Sequence, residues 1–306
     1  MSNAADTAVL DERRAHVGPA GIEIAYQRLG DPAAPPVLLI MGLGAQLIHW
    51  PDPFCHALVK RDLQVIRFDN RDAGHSARMA GAPPPNLPAA LSGDLSSASY
   101  TLSDMAADAV GLLDALDIAA AHVVGASMGG AIAQTAAIEH PGRLRSVTSI
   151  MSTTGAASVG QPSPDVLREL FSGPAPTTRD EFVERMCASA RLIGSPGYPG
   201  DEAEISARAA RVYERGYDSV GLARQAVATV ASGDRTGRLR QLEIPALVIH
   251  GLADRMCDAS GGRAVAQAIP GAELVLIEGM GHDLPPGLRA PLATRIADFI
   301  WNAERR

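Results

Sequence analysis

Ala121-His122-Val123-Val124-Gly125-Ala126-Ser127-Met128-Gly129-Gly130-Ala131-Ile132-Ala133 is the stretch that decides the fold of this chain. An apolar run, Ala121–Val124, enters Gly125-Ala126-Ser127-Met128-Gly129, and small residues follow. The G-x-S-x-G pattern alone is weak. Between a buried strand and a helix it becomes a sharp turn that presents a serine hydroxyl, with the serine in a strained backbone conformation. Strand and helix then approach too closely at Gly125 and Gly129 for a Cβ, and Gly130 and Ala131 extend that clearance. Ser127 is the expected nucleophile. The Met128 N–H, at the positive end of the helix, is the expected first donor to an oxyanion.

Short apolar runs that do not alternate lie on both sides of this motif: Val37–Met41, Leu63–Phe68, Ser146–Ile150, Ala246–Ile249 and Leu274–Ile277. Such runs fit strands buried on both faces. Helical patterns separate most of them, at Phe54–Arg61, Leu102–Leu116, Met128–His140, Arg263–Ala268 and Arg289–Ala303, and Pro141 stops the third. A hairpin, Ala15–Val17 and Ile22–Leu29 around Gly18-Pro19-Ala20-Gly21, precedes them all. The expectation is an α/β fold, a mostly parallel eight-stranded sheet flanked by helices.

From Ser152 to Leu242 the rhythm breaks. That stretch has Pro/Gly punctuation and amphipathic helices near Pro164–Phe171, Arg179–Ile193, Asp201–Tyr217 and Gly221–Ala231. The expected organisation is a core of residues 1–151 and 243–306, with residues 152–242 inserted after the sixth strand as a helical cap. Ala80–Ser99, rich in Pro, Ala and Ser, reads as a surface loop.

A serine hydroxyl is a weak nucleophile without a base in hydrogen-bond reach, and the base needs a carboxylate to orient it. After a G-x-S-x-G turn of this kind the acid and then the histidine follow, each on a loop at a strand end. Asp254 fits as the acid: Ile249-His250-Gly251-Leu252-Ala253-Asp254 is a strand end, a Gly turn and a carboxylate. His282 fits as the base, because Leu274–Ile277 runs into Glu278-Gly279-Met280-Gly281-His282, where glycines let the loop fold back. The rivals are weaker. Asp258 lies a helical turn too late and reads as a surface or capping carboxylate, Asp283 adjoins the base, and His250 reads as a core histidine. The second oxyanion donor should come from Gly42-Leu43-Gly44, after the Val37–Met41 strand, and the Leu43 N–H is chosen. His49 and Trp50 follow that loop and either line the pocket or simply pack.

Composition narrows the partners. In 306 residues with a net charge of −7, no segment is basic enough to track a phosphate backbone, so nucleic acid is not expected. Three scattered cysteines, Cys55, Cys187 and Cys257, form neither a disulfide framework nor a metal cluster, so no metal is expected. Cys257 lies near the acid loop but reads as a buried thiol. Val37–Leu43, the best apolar run, is too short to span a bilayer, and Met1–Arg14 has acidic residues and no apolar core for a signal peptide. No stable membrane insertion and a cytoplasmic location are expected.

With these residues in place, the chain resembles the α/β-hydrolase superfamily, and more narrowly bacterial esterases of the aclacinomycin methylesterase type and mycobacterial carboxylesterases. The matching segments are Leu39-Ile40-Met41-Gly42-Leu43-Gly44-Ala45-Gln46, Arg67-Phe68-Asp69-Asn70-Arg71-Asp72-Ala73-Gly74-His75-Ser76, Gly125–Gly130, Gly279–His282 and Gly194-Ser195-Pro196-Gly197-Tyr198-Pro199. Where many relatives carry His-Gly before the oxyanion donor, this chain has Met41-Gly42, as the narrower group does. The resemblance implies carboxylic-ester hydrolysis with no cofactor, and a structural role for Asp69, Arg71 and Gly74.

The first reading is therefore a carboxylesterase that passes through an acyl-enzyme on short-chain or compact esters. A second keeps the triad for amide, carbon–carbon or perhydrolase chemistry. A third keeps only the fold, as a ligand receptor without turnover. Phe171, Phe182, Tyr198, Tyr213 and Tyr217 fall in the cap and either line the pocket or glue cap to core.

Overall fold

The computed structural model describes residues 11–171 and 173–305. Most of the opening segment and the Phe171 side chain lie outside the described residues.

Eight strands form one sheet: β1 (Glu12–Val17), β2 (Ile22–Leu29), β3 (Pro36–Ile40), β4 (Gln64–Phe68), β5 (Ala121–Ala126), β6 (Leu144–Ile150), β7 (Ala246–Gly251) and β8 (Glu273–Ile277). Their order is β1-β2-β4-β3-β5-β6-β7-β8. β1 and β2 pair as the antiparallel hairpin, β2 is antiparallel to β4, and every pairing beyond is parallel.

The apolar runs do not alternate because both faces of the sheet are covered. Leu38, Ile40, Ile66 and Val123 pack into one cluster with Leu112 and Ile132. Their neighbours Val37, Leu39, Val65 and Val124 pack into another with Phe54, Leu292 and Ile296. The side-chain period of two sends successive residues to opposite cores. The helices that supply these faces are α1 (Asp52–Val59), a short α2 (Leu87–Leu91), α3 (Leu102–Ala115) and α4 (Met128–Glu139). Beyond β6 come α5 (Pro164–Phe171), α6 (Arg179–Ile193), α7 (Glu202–Glu214), α8 (Ser219–Ala231) and α9 (Thr236–Leu239), then α10 (Ser260–Ala268) and α11 (Pro286–Glu304).

Two expectations need correction at this level. Ala80–Ser99 is not all loop: Asn86 accepts the Ala89 N–H at 3.1 Å and starts α2. The last helix begins at Pro286 rather than Arg289, because a proline suits the first helical position, where no N–H is needed.

The helices between β6 and β7 have a small apolar cluster of their own. Phe182, Ala209 and Val212 pack there against Leu47 and Ile48 of the segment after β3. A capping box starts α6, with the Glu181 N–H donating to the Thr178 hydroxyl and the Thr178 N–H to the Glu181 carboxylate. No helix among the described residues is long and apolar enough to cross a membrane.

Candidate active site

Ser127 stands between β5 and α4 with φ 56° and ψ −123°. That conformation is strained for an L-residue and persists only where the surroundings enforce it. The Ser127 N–H donates to the Ile150 carbonyl at 2.9 Å. A Cβ on Gly125 would lie 2.1 Å from the Gly129 carbonyl oxygen, and one on Gly129 would lie 2.1 Å from that of Ile40. The clearance expected from the motif is thus a physical contact between strand and helix.

His282 approaches from the loop after β8. Its Nε2 lies 3.0 Å from Ser127 Oγ, and its Nδ1 lies 2.7 Å from Asp254 Oδ2. The loop is tied to the end of α6: the His282 N–H donates to the Ile193 carbonyl at 2.7 Å. The Gly281 N–H donates to Ser195 Oγ at 2.9 Å, and that hydroxyl donates to Asp283. Asp283 is thereby engaged away from the base.

Asp254 follows β7. Its Oδ1 accepts the N–H groups of Met256 at 2.9 Å and Cys257 at 2.8 Å. Burial alone would raise its pKa. The charge on His282 and hydrogen bonds from His250, His282 and the Cys257 N–H outweigh that, and hold the carboxyl well below the usual carboxylate range. An ionised Asp254 on the Nδ1 side leaves Nε2 as the acceptor facing serine. Ser127, Asp254 and His282 are therefore brought into one hydrogen-bonded line.

His250 is buried, as a core histidine should be. It also donates from Nε2 to the Cys257 carbonyl at 2.7 Å, with Asp254 Oδ2 3.4 Å away. Reasoning from sequence missed this contact, although four-residue spacing across the Gly251 turn was a usable signal. Asp258 lies one residue before the N-cap of α10, Ala259, and accepts the Ser260 N–H at 2.9 Å and the Gln161 N–H at 3.0 Å. All three cysteines are free and buried. Burial, then the Asp254 charge, pushes the Cys257 thiol pKa up, so it stays protonated.

On the other side of Ser127, a Cβ on Gly42 would lie 3.0 Å from the Ser127 Cβ. Leu43 and Gly44 form a turn closed by the Ala45 N–H donating to the Gly42 carbonyl at 3.1 Å. Neither the Leu43 N–H nor the Met128 N–H has an acceptor among the described residues.

Leu43, Ser127 and His282 line a cavity of about 550 Å³ walled also by residues of α6, α7 and α8. His49 lines it, and burial, with the charge of Arg208, pushes the imidazole down to about 4. Trp50 does not line it; it is buried against Phe54 with ring centroids 5.3 Å apart. Of the aromatic residues in question, Phe182 and Tyr217 line the cavity and pack on each other at 4.5 Å. Tyr213 packs behind Phe182, and Tyr198 packs against the core.

A mostly parallel sheet carrying a strained serine on its strand-to-helix turn, with histidine and aspartate on later strand-end loops, defines a hydrolase. The family model for the alpha/beta hydrolase fold matches residues 35–285, and the chain belongs to that family. It is similar to rhodomycin D methylesterase DnrP of Streptomyces peucetius, at 32% identity over 88% of this chain and 91% of the relative. Rhodomycin D methylesterase DauP of Streptomyces sp. (strain C5) matches equally, at 32% identity over 88% and 91%. Among solved structures it is similar to the enol-lactonase from Burkholderia xenovorans LB400, at 26% identity and a TM-score of 0.71, over 94% of this chain and all of the other.

Proposed function

We propose that this hydrolase cleaves carboxylic esters through an acyl-enzyme on Ser127, with His282 as base and Asp254 as the acid that orients it. The observation that carries the reading is the hydrogen-bonded line itself: Ser127 Oγ is 3.0 Å from His282 Nε2, and His282 Nδ1 is 2.7 Å from Asp254. Ser127 Oγ attacks the ester carbonyl while His282 takes its proton. Asp254 stabilises the resulting imidazolium and stays ionised. The N–H groups of Met128 and Leu43 receive the oxyanion, a role supported by their having no acceptor among the described residues. His282 then protonates the leaving alcohol, and a water activated by the same ring releases the acid.

The substrates are short-chain or compact esters, such as methyl or aryl esters. Two features support this: the mainly apolar cavity of about 550 Å³ and the similarity to two methylesterases. Residues 152–242 act as the cap over that cavity, the remainder as the core, and α6, α7 and α8 supply the cap's share of the wall. Hydrolysis of p-nitrophenyl acetate, butyrate and octanoate by wild type and Ser127→Ala tests the reading. Turnover that falls with chain length and disappears in the variant supports it. Equal turnover by both proteins overturns it.

A further inference from the structure

The turn that carries the Leu43 N–H has a specific form. The Gly42 carbonyl accepts the Ala45 N–H at 3.1 Å, and Gly44 has φ +66°. Leu43 is not in the left-handed region. A closed turn with positive φ only at its third residue is a type II turn. Type II differs from type I by a flip of the middle peptide, here the one joining Leu43 to Gly44. The orientation of the Gly44 N–H therefore reports, and fixes, which turn is present.

The Gly44 N–H donates at 2.7 Å to Oε1 of Gln225, a fully buried residue on α8. The same amide donates from Nε2 to the Arg71 carbonyl at 2.7 Å. The Arg71 bond settles which end of the amide is oxygen and aims it at Gly44. α8 also presses on the turn from outside, since a Cβ on Gly44 would meet Leu222 Cδ1 at 2.7 Å. We infer that Gln225 is a positioning residue for ester hydrolysis: by holding the Gly44 N–H it pins the 42–45 turn at the residue next to Leu43, and so keeps the backbone that carries the Leu43 N–H in place beside Ser127. This rests on the proposed Ser127 reaction. It makes the helical insertion part of the catalytic frame as well as a cover.

Two variants separate aim from stability. Gln225→Met fills the space without either bond. Gln225→Glu keeps an acceptor for Gly44 but loses the donor to Arg71. Each is compared with wild type and with Thr229→Val, which removes a hydroxyl from the same helix. The readouts are the rate at which a fluorophosphonate labels Ser127, kcat and KM for p-nitrophenyl butyrate, and the melting temperature. Gln225→Met should label and turn over roughly tenfold to a hundredfold more slowly, with KM changed less than about threefold. Gln225→Glu should melt at lower temperature yet keep most of the labelling rate. Wild-type labelling in a folded Gln225→Met, or equal loss in both variants, overturns the inference. Should the Met variant not fold, Gln225→Leu is read in its place: slow labelling supports the inference and wild-type labelling overturns it. If wild type itself is not labelled, the Ser127 reading fails and takes this inference with it.

Discussion

The Nε2 of His250 lies 3.4 Å from the Asp254 oxygen that accepts the bond from His282, while donating to the Cys257 carbonyl at 2.7 Å. His250 thus ties the strand end of β7 to the loop on which Asp254 sits, at both the backbone and the carboxylate. His250→Phe should lower kcat roughly tenfold with little change in KM, by loosening the acid. It should also cost about 1–3 kcal/mol of stability, because the Cys257 carbonyl loses a buried partner. Urea denaturation and steady-state kinetics on one preparation measure both.

Asp254→Asn should be more severe for turnover and milder for stability than its burial suggests. The amide still accepts from the Met256 and Cys257 N–H groups, as the Oδ1 atom now does at 2.9 and 2.8 Å. Its N–H₂ then faces His282 Nδ1 and favours the wrong tautomer. A fall in kcat of roughly 10³–10⁴ is expected, with KM nearly unchanged. Kinetics with p-nitrophenyl butyrate check it.

Gly129→Ala should destabilise the chain by more than about 4 kcal/mol, since its Cβ would sit 2.1 Å from the Ile40 carbonyl oxygen and neither backbone can yield. Gly142→Ala is the control. Nothing lies within 4 Å of that Cβ, and the expected change is below about 1 kcal/mol. Denaturation midpoints distinguish the two.

That contact also marks how far the sequence could be read. Glycines at fixed places around Ser127, flanked by an apolar run and a small-residue helix, announced a close approach, and the approach is there. The two-sided burial of the sheet was legible in the runs that do not alternate. Beyond the β1–β2 hairpin the neighbour of each strand was not, because those pairings have no local turn to betray them. The start of α11 at Pro286 was not legible from the apolar pattern, which picks up at Arg289, yet that proline sits where a helix tolerates it best. Gln225 and His250 escaped for a different reason. A buried polar residue gains its role from a partner far along the chain or across a turn, and residue type alone does not name that partner.

Stability should fall on mild acidification. His122 is almost wholly buried, with Nδ1 2.8 Å from Ser146 Oγ and Nε2 3.1 Å from Glu304. Burial, opposed by Glu304, pushes its pKa from the ordinary 6.5 down to about 4. Between those values the unfolded chain takes up a proton that the folded chain refuses, so stability drops as pH falls from 6.5 to about 4 and then levels on this account. His49, also lowered to about 4, acts in the same direction. His122→Gln should flatten part of that slope in denaturation midpoints taken across the window.

The central claim is that Ser127 becomes acylated. Wild-type protein mixed with excess p-nitrophenyl acetate and quenched within the first turnovers should gain one acetyl group, found by peptide mass analysis on Ser127. Ser127→Ala should gain none and should release no p-nitrophenol above the buffer rate. Acetylation at another residue, or undiminished hydrolysis by Ser127→Ala, would contradict the account.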